Sequence, residues 1–151
     1  MNKIQIITAI SIITFLFFSF RKESFISSPD ARLSLSADSI KFDTVFTTVG
    51  SITQSFKIFN DNDQKLLLSK VKLMGGAGSA YKININGLAV IEADNIELAA
   101  NDSIYIFVTV NVNPSAANLP FIISDSILIN YNGNNRFVQL QSYGQNAHFL
   151  N

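Results

Sequence analysis

The acidic residues Glu92, Asp94 and Glu97 form the densest group of side chains with catalytic potential in this chain. Two carboxyl groups a few ångströms apart can hydrolyse a glycosidic bond, one as the acid and the other as base or nucleophile. The group has no tryptophan beside it to serve as a sugar platform, because the chain contains none. Charged side chains are mostly exposed in folded proteins. We therefore interpret this group as a solvated acidic loop.

The other patterns with chemical potential are a single histidine, an acidic turn and a glycine-rich segment. His148 lies in a polar tail after the last predicted strand, where a Ser-His-Asp triad or a metal site would lack fixed positions. Residues 61–63 (Asp-Asn-Asp) could begin a calcium loop, but Lys65 and Leu66 stand where that loop needs an oxygen ligand and a glycine. We interpret them as a hairpin turn. Residues 75–78 (Gly-Gly-Ala-Gly) lack the lysine and hydroxyl of a phosphate-binding loop, and we interpret them as a flexible inter-strand loop.

A repeated tripeptide, Asp followed by a hydroxyl residue and a β-branched apolar residue, occurs four times. It is similar to the O-glycosylation acceptor motif of exported Bacteroidetes proteins, and this resemblance implies a glycan on the hydroxyl group. The alternative is structural, because Asp and Ser commonly end a turn and a β-branched residue commonly opens the next strand. Both interpretations stay open. The candidate acceptors are Ser39, Thr44, Ser103 and Ser126.

Composition and charge exclude several classes of function. Eleven Lys and Arg residues balance eleven Asp and Glu residues, and the isoelectric point is about 6.5, so no long-range field attracts nucleic acid. The chain has no cysteine, which excludes disulfides, thiolate metal sites and cysteine nucleophiles. We predict a protein that is not an enzyme, with no cofactor, no metal site and no nucleic-acid partner.

Residues 4–20 form an uncharged apolar run that is preceded by Lys3 and followed by Arg21 and Lys22. A basic start before an apolar run is typical of an export signal or a membrane anchor. The run exceeds a usual signal core, lies near the lower limit for spanning a bilayer and has no clean cleavage site, so both interpretations stay open. We predict a hydrophobic helix within residues 1–22 that contacts the membrane. The protein is then exported to the cell envelope, where it is membrane-anchored, periplasmic or at the cell surface.

Beyond a polar linker at residues 23–31, β-branched and aromatic residues recur at every second position between clusters of Gly, Asn and Asp. This alternation is typical of half-buried strands, and helical periodicity is absent. Seven or eight short strands with long irregular connections favour a sandwich of two antiparallel sheets over a barrel. Phe107 interrupts the polar side of the clearest strand. The predicted strands are residues 39–46, 51–59, 66–74, 81–85, 95–98, 103–112, 125–131 and 137–143.

Two connections and one edge can also be predicted. Residues 60–63 are expected to join strands 51–59 and 66–74, and residues 132–134 (Asn-Gly-Asn) to join the last two strands as a hairpin. Residues 126–131 carry no charge and could pair with a second copy if they formed a sheet edge. We predict one domain at residues 32–145, followed by a tail at residues 146–151.

Several motifs, taken in order, resemble the Ig-like domains of the major sperm protein and hydin type. The resemblance spans residues 35–144 and is nearest to the amino-terminal domain of Bacteroidetes surface lipoproteins, where this module often precedes a right-handed β-helix. It implies an Ig-like β-sandwich, in which a glycine permits a turn and an asparagine that ends a strand tolerates left-handed backbone. Fold similarity implies no function. The matching residues are Phe42-Asp43-Thr44-Val45, Gly50, Phe56-Lys57-Ile58-Phe59-Asn60, Leu68, Ala99-Ala100-Asn101-Asp102-Ser103, Val138, Leu140 and Gly144.

The chain departs from those lipoproteins at Phe20, which stands where they carry the cysteine that is acylated. The chain also ends at Asn151, where larger relatives continue into a further domain, so a free-standing module and a fragment both stay open. We expect a non-enzymatic Ig-like module of the envelope that contacts a protein or a glycan, or that acts as a spacer. The alternative is an accessory domain of a larger surface protein with a β-helix enzyme or adhesin domain.

Overall fold

The computed structural model describes residues 24–46, 53–111 and 121–145. These residues contain ten β-strands and one turn of 3-10 helix at Gly76–Gly78. No helix in this part of the chain is long and apolar enough to cross a membrane. The helix predicted within residues 1–22 lies outside the described residues. The strands are β1 (Leu33–Leu35), β2 (Ser39–Phe46), β3 (Gln54–Asn60), β4 (Leu66–Leu73), β5 (Tyr81–Ile85), β6 (Leu88–Ala89), β7 (Glu92–Leu98), β8 (Ser103–Val110), β9 (Phe121–Tyr131) and β10 (Asn134–Gln145).

The strands form two sheets of five strands each. The first sheet has the order β1-β3-β8-β5-β6 and is antiparallel throughout. The second sheet has the order β2-β10-β9-β4-β7 and is antiparallel except where β2 runs parallel to β10. The chain crosses repeatedly between the two sheets, whose apolar faces together form the core. This arrangement is an Ig-like β-sandwich, so the predicted fold class is confirmed.

Side chains alternate between the core and the outer surface along each strand. In β8, Ile104, Ile106 and Val108 are buried, whereas Tyr105 and Phe107 are exposed on the opposite side. Removing the apolar side chains from water supplies the main stabilising free energy of such a fold. The second sheet contributes a matching set of buried residues, among them Leu68, Val71, Leu73, Ile127, Ile129, Val138 and Leu140.

A buried tyrosine links the two sheets by hydrogen bonds. Tyr81 on β5 is 1% exposed, and its hydroxyl donates to the carbonyl oxygen of Ile123 on β9 at 2.8 Å. The same hydroxyl is hydrogen-bonded to Oγ of Ser142 on β10 at 3.0 Å. Its ring packs against Phe42 of β2, with the ring centroids 6.0 Å apart. Burial raises the pKa of Tyr81, so the hydroxyl remains protonated and can donate its hydrogen bond.

Each of the eight predicted strands has a counterpart, and two further strands were not predicted. β1 and β6 contain three and two residues, respectively. Such short segments show no alternation that could be recognised in the sequence. Only the pairing of each segment with a longer neighbour, β3 or β5, makes it a strand.

The predicted hairpin between residues 51–59 and 66–74 is wrong. β3 belongs to the first sheet and β4 to the second, so the connection crosses between sheets. Asn60, which ends β3, is 1% exposed and does not have positive φ. Its side-chain amide instead donates to the carbonyl oxygens of Gln64, Leu98 and Ala99 at 2.8, 3.2 and 2.8 Å. A buried amide that satisfies backbone carbonyls therefore fixes this corner.

A second buried asparagine extends this network to the start of the domain. Asn62 is 6% exposed, and its Nδ2 donates to Oδ1 of Asn60 at 2.7 Å. The same nitrogen donates to the carbonyl oxygen of Arg32 at 2.7 Å, and the Arg32 amide donates to Oδ1 of Asn62 at 3.0 Å. The predicted acidic turn is thus the place where the first strand, the crossover and the loop after β7 are joined.

The hairpin at residues 132–134 is confirmed. It joins β9 to β10, with Asn132 and Gly133 at φ values of 45° and 78°. Two successive residues of positive φ match the type I′ turn that suits the twist of a hairpin. Residues 126–131 do not form a sheet edge, because β9 lies between β10 and β4, so the condition for their pairing with a second copy is not met.

Residues 24–31, assigned to a linker by the sequence, contact the sandwich. Phe25 forms a parallel bridge with Lys65, and Ala31 is buried in the core. The side-chain amide of Asn132 donates to the carbonyl oxygens of Ile26 and Ser28 at 3.0 and 2.9 Å. These contacts hold the segment against the end of the hairpin.

Candidate functional site

The acidic group lies on strand β7, so the prediction of an acidic loop is wrong; its members are Glu92, Asp94 and Glu97. Lys70 Nζ lies 2.6 Å from Asp94 Oδ1, and Lys72 Nζ lies 3.1 Å from Glu92 Oε2. The hydrogen bond that Lys70 donates to Asp94 raises the pKa of Lys70. A hydrolytic pair needs two carboxyl groups that face one substrate, whereas Glu92 and Asp94 face lysines on the neighbouring strand β4 and Glu97 faces Lys65 just before it. Among residues 24–46, 53–111 and 121–145, no cluster of His, Cys, Asp or Glu could hold a metal ion.

The glycine-rich segment is held by a carboxylate instead of forming a free loop. Gly75 N donates to Asp125 Oδ1 at 2.9 Å, and the Ser79 hydroxyl donates to Asp125 Oδ2. A Cβ atom at position 75 would collide with that carboxylate. The glycine therefore allows the turn after β4 to approach β9 closely, and Asp125 has a structural role.

The four candidate glycan acceptors occupy different positions in the strands. Ser39 and Ser103 open β2 and β8 directly after Asp38 and Asp102, as the turn-to-strand interpretation predicts. The other two copies of the tripeptide lie inside β2 and β9, where that interpretation does not apply. Ser39 is exposed, and Ser103 is half-buried.

One strand brings two of these acceptors into a single row. Gln139 on β10 is paired with Ser39 on one side and with Ser126 on the other. Ser126 is half-buried on the outer surface of the second sheet, because its neighbour Ile127 points into the core. Thr44 is paired through its backbone with Tyr143. Glycosylation of these residues stays a prediction. His148 lies outside the described residues.

A group of exposed aromatic and basic side chains lies on the outer surface of the first sheet. β3 supplies Lys57 and Phe59, β8 supplies Tyr105 and Phe107, and β5 supplies Lys82. We call these five residues the aromatic face. They share one surface because each alternates with a buried core residue along its strand. Strand pairing places Lys57 directly opposite Tyr105.

The aromatic face is ordered by contacts between its own side chains. The rings of Tyr105 and Phe107 are stacked, with centroids 5.6 Å apart and planes inclined by 17°. Lys57 Nζ lies 4.5 Å from the centroid of Tyr105 and 5.9 Å from that of Phe59. Such cation–π contacts hold the ammonium group over the rings without neutralising its charge. Tyr105 and Phe107 nevertheless remain 43% and 39% exposed.

A groove of about 390 Å³ adjoins Phe107 at one end of the aromatic face. Asn84 lies in it with Oδ1 accepting a hydrogen bond from Gly87 N at 2.8 Å, while its side-chain NH₂ has no acceptor among the described residues. The groove therefore combines an aromatic wall, an amide donor, two hydroxyl groups and an ammonium group. Its lining residues are Thr53, Lys82, Ile83, Asn84, Gly87, Ala89, Phe107 and Thr109.

A second groove of about 350 Å³ lies where the chain passes from β6 to β7. It is mainly apolar, with Leu73 and Tyr81 contributing from the core and Val90 and Ile91 from the crossover. Lys82 and Ile83 line both grooves, so β5 separates them. Polar groups that could orient a ligand are concentrated in the first groove.

The pattern of β8 contains the one signal by which the aromatic face could have been found. Tyr105 and Phe107 both fall on the side that alternation assigns to solvent, where a β-strand of a single domain normally carries polar residues. In the sequence, Phe107 stands out only as an interruption of the polar side of this strand. The contribution of Lys57 and Lys82 could not be recognised, because it depends on which strands flank β8.

Three solved structures match this chain over 77–80% of its length. A family 123 glycoside hydrolase from Clostridium perfringens matches with a TM-score of 0.52 and 10% identity over 77% of this chain and 27% of its own. The periplasmic chaperone SfaE matches with a TM-score of 0.48 and 6% identity, over 80% of this chain and 60% of its own. The CooA pilin subunit from enterotoxigenic Escherichia coli matches with a TM-score of 0.45 and 7% identity, over 77% of this chain and 99% of its own.

The chain spans little more than a quarter of the hydrolase and about 60% of the chaperone. At these identities the likeness shows the fold alone, since one fold serves many functions. No protein-family model and no curated protein matches the sequence.

Proposed function

We propose that this protein is a non-enzymatic Ig-like module, exported to the cell envelope, that contacts a protein or a glycan through its aromatic face. A role as a spacer between other envelope components is compatible with the same fold. The observation that carries the proposal is the exposed, stacked pair Tyr105 and Phe107, held beside Lys57 on the outer surface of the first sheet. Aromatic residues of this kind are enriched at protein interfaces and in ligand sites.

The location in the envelope is supported by the apolar run at residues 4–20 between basic residues. Fractionation of native cells with an antibody against the protein tests it. We expect the protein in the membrane or periplasmic fraction. Recovery from the cytosol alone would contradict the proposed location.

The contact surface is tested by affinity capture from native membranes with the full chain as bait. Tyr105→Ala and Phe107→Ala should reduce capture of the partner, because each removes exposed ring area from the proposed contact. Phe137→Ala is the matched control, since Phe137 is a phenylalanine of the second sheet with 46% exposure. Equal loss in all three variants, or in none, would argue against a role for the aromatic face.

A second candidate function is that of an accessory domain in a larger surface protein with a β-helix enzyme or adhesin domain. It is favoured by the glycoside hydrolase, in which a similar fold accounts for 27% of a longer chain. The genomic neighbourhood discriminates between the candidates. A β-helix domain encoded directly downstream would support the accessory role, and an unrelated downstream gene would count against it.

A further inference from the structure

We infer that the aromatic face binds an acidic saccharide, a short chain of uronic acid residues whose carboxylates pair with Lys57 and Lys82 and whose ring packs on Phe107. This inference rests on the proposed function and specifies the ligand class of the same surface. Three observations carry it, namely the distribution of charge, the groove beside Phe107 and the position of the site on a sheet face instead of an edge.

Charge is distributed unequally between the two sheets. The strands of the first sheet contain no Asp or Glu, and their only charged residues are Lys57 and Lys82. Residues 47–52 and 112–120 also contain no charged residue. The acidic residues next to the sheet are Asp61, directly after β3, and Asp102, directly before β8. Both lie at the end of these strands that is away from Phe107. The strands of the aromatic face therefore carry two positive charges and no negative charge, and Asp61 and Asp102 lie beyond the Phe59 end of the face.

The two lysines flank the rings in a way that suits an extended ligand. Lys57 is paired with Tyr105, and Lys82 is paired with Thr109, four residues further along β8. Four residues of strand extend over about 14 Å, and Phe107 lies between the two pairs. A short oligouronide can place one carboxylate near each ammonium group and a sugar ring on Phe107.

The groove beside Phe107 supplies the remaining contacts that a sugar requires. Its volume of about 390 Å³ falls in the range of small-molecule sites. The NH₂ group of Asn84, which has no acceptor among the described residues, and the hydroxyl of Thr109 can bond to the hydroxyl groups of a sugar. An apolar ring face and several polar groups at the edge match the alternating apolar and hydroxyl-bearing surfaces of a pyranose.

An acidic peptide fits this surface less well. Extended peptides dock on β-proteins mainly at sheet edges, where unpaired backbone groups form hydrogen bonds with them. The aromatic face lies on β3, β8 and β5, and each of these strands has a neighbouring strand on both sides. A second copy of the chain is also a poor match, because the acidic residues of β7 are already paired with Lys70 and Lys72.

Calorimetric titration of the full chain in a neutral detergent tests the inference, with tetragalacturonate as the ligand and its methyl ester as the uncharged control. We expect saturable binding of the acid and at least about tenfold weaker binding of the ester. Phe107→Ala should weaken binding of the acid about tenfold. Lys82→Gln should weaken it about two- to fivefold, because this charge is exposed to solvent. Phe137→Ala and Lys41→Gln, on the second sheet, should leave binding unchanged.

Three results would overturn the inference. The first is the absence of saturable binding of tetragalacturonate by a chain whose circular dichroism shows the β-sandwich. The second is a loss of binding in Lys82→Gln but not in Phe107→Ala, which indicates charge attraction alone. The third is equal affinity for hexaglutamate with the same dependence on both residues, which indicates an acidic protein segment. In each case, partner capture that still depends on Phe107 would leave the proposed function standing and reject only the ligand class.

Discussion

Replacement of Tyr81 by Phe is the sharpest test of how the two sheets are held together. The change keeps the ring, its contact with Phe42 and the buried volume, and removes only the hydroxyl that bonds to Ile123 and Ser142. The Ile123 carbonyl and the Ser142 hydroxyl then lose a partner in a region that water does not reach. Leaving buried polar groups without partners costs about 1–3 kcal/mol. We expect Tyr81→Phe to lower the free energy of unfolding by about 2 kcal/mol.

Urea and thermal unfolding of the full chain, followed by circular dichroism, measure this loss. For a domain of this size, 2 kcal/mol corresponds to a decrease of about 8 °C in the melting temperature. Tyr131→Phe is the matched control, because Tyr131 is also buried but its hydroxyl has no hydrogen-bond partner among the described residues. The control should differ from the wild type by less than about 0.5 kcal/mol.

A double variant measures the energetic coupling between Tyr81 and Ser142. In Tyr81→Phe with Ser142→Ala, both partners of one bond are absent, so the double variant should be more stable than the sum of the two single changes implies. The reasoning is refuted if Tyr81→Phe is as stable as the wild type, or if Tyr131→Phe loses as much stability as Tyr81→Phe.

The same residue predicts a dependence on pH. Burial raises the pKa of Tyr81 above its ordinary value of 10.0. The hydrogen bond with Ser142 lowers the pKa by a smaller amount, and the charge of Asp125 raises it by a still smaller amount. The folded state therefore holds this proton more tightly than the unfolded state. The resulting stability is complete below pH 10 and is lost as the pH rises through the folded-state pKa. The difference in stability between wild type and Tyr81→Phe should narrow above pH 10, and a constant difference there would contradict this account.

Three further predictions concern the corner network, the ion pairs and the hydroxyl motif. Asn60→Ala should lower the free energy of unfolding, measured by urea titration, by about 3 kcal/mol, because three carbonyl groups lose their hydrogen-bond donor. Asn111→Ala is the control and should have little effect in the same titration, because Asn111 is exposed. Lys70→Met should shift the urea midpoint only slightly at low salt and not at all at about 1 M salt, because the ion pair of Lys70 with Asp94 is exposed to solvent. A large shift of the midpoint at high salt would show that Lys70 stabilises the fold by more than this ion pair. The intact mass of the protein purified from its native host should exceed that of the bare chain, and an equal mass would reject glycosylation at Ser39, Thr44, Ser103 and Ser126.

Local sequence signals predicted those features that depend on neighbouring residues alone. Alternation identified β8, because a strand with one face in the core repeats its apolar residues at every second position. The turn at Asn132 and Gly133 was identified because few residues other than Asn and Gly adopt positive φ readily. These signals extend over a few residues and need no knowledge of the partner strand.

Strand pairing was not predictable in the same way. The turn residues after β3 suggested a hairpin, but β3 pairs with β1 and β8, and β4 pairs with β7 and β9. Asn60 has the same local signature whether it ends a hairpin or donates to carbonyls of a loop near Ala99. Only burial distinguishes the two cases, and burial depends on residues distant in the sequence.

By itself, the sequence determined that the chain is an all-β protein with a balanced charge, no cysteine and an apolar segment at its start. Those properties follow from composition and from local periodicity. The tertiary structure decided that Lys57 lies over Tyr105, that Lys82 shares the groove beside Phe107, and that the carboxylates of β7 face lysines. Each of these arrangements joins strands that are far apart in the chain. Their pairing is set by the free energy of the whole core, which no short segment encodes.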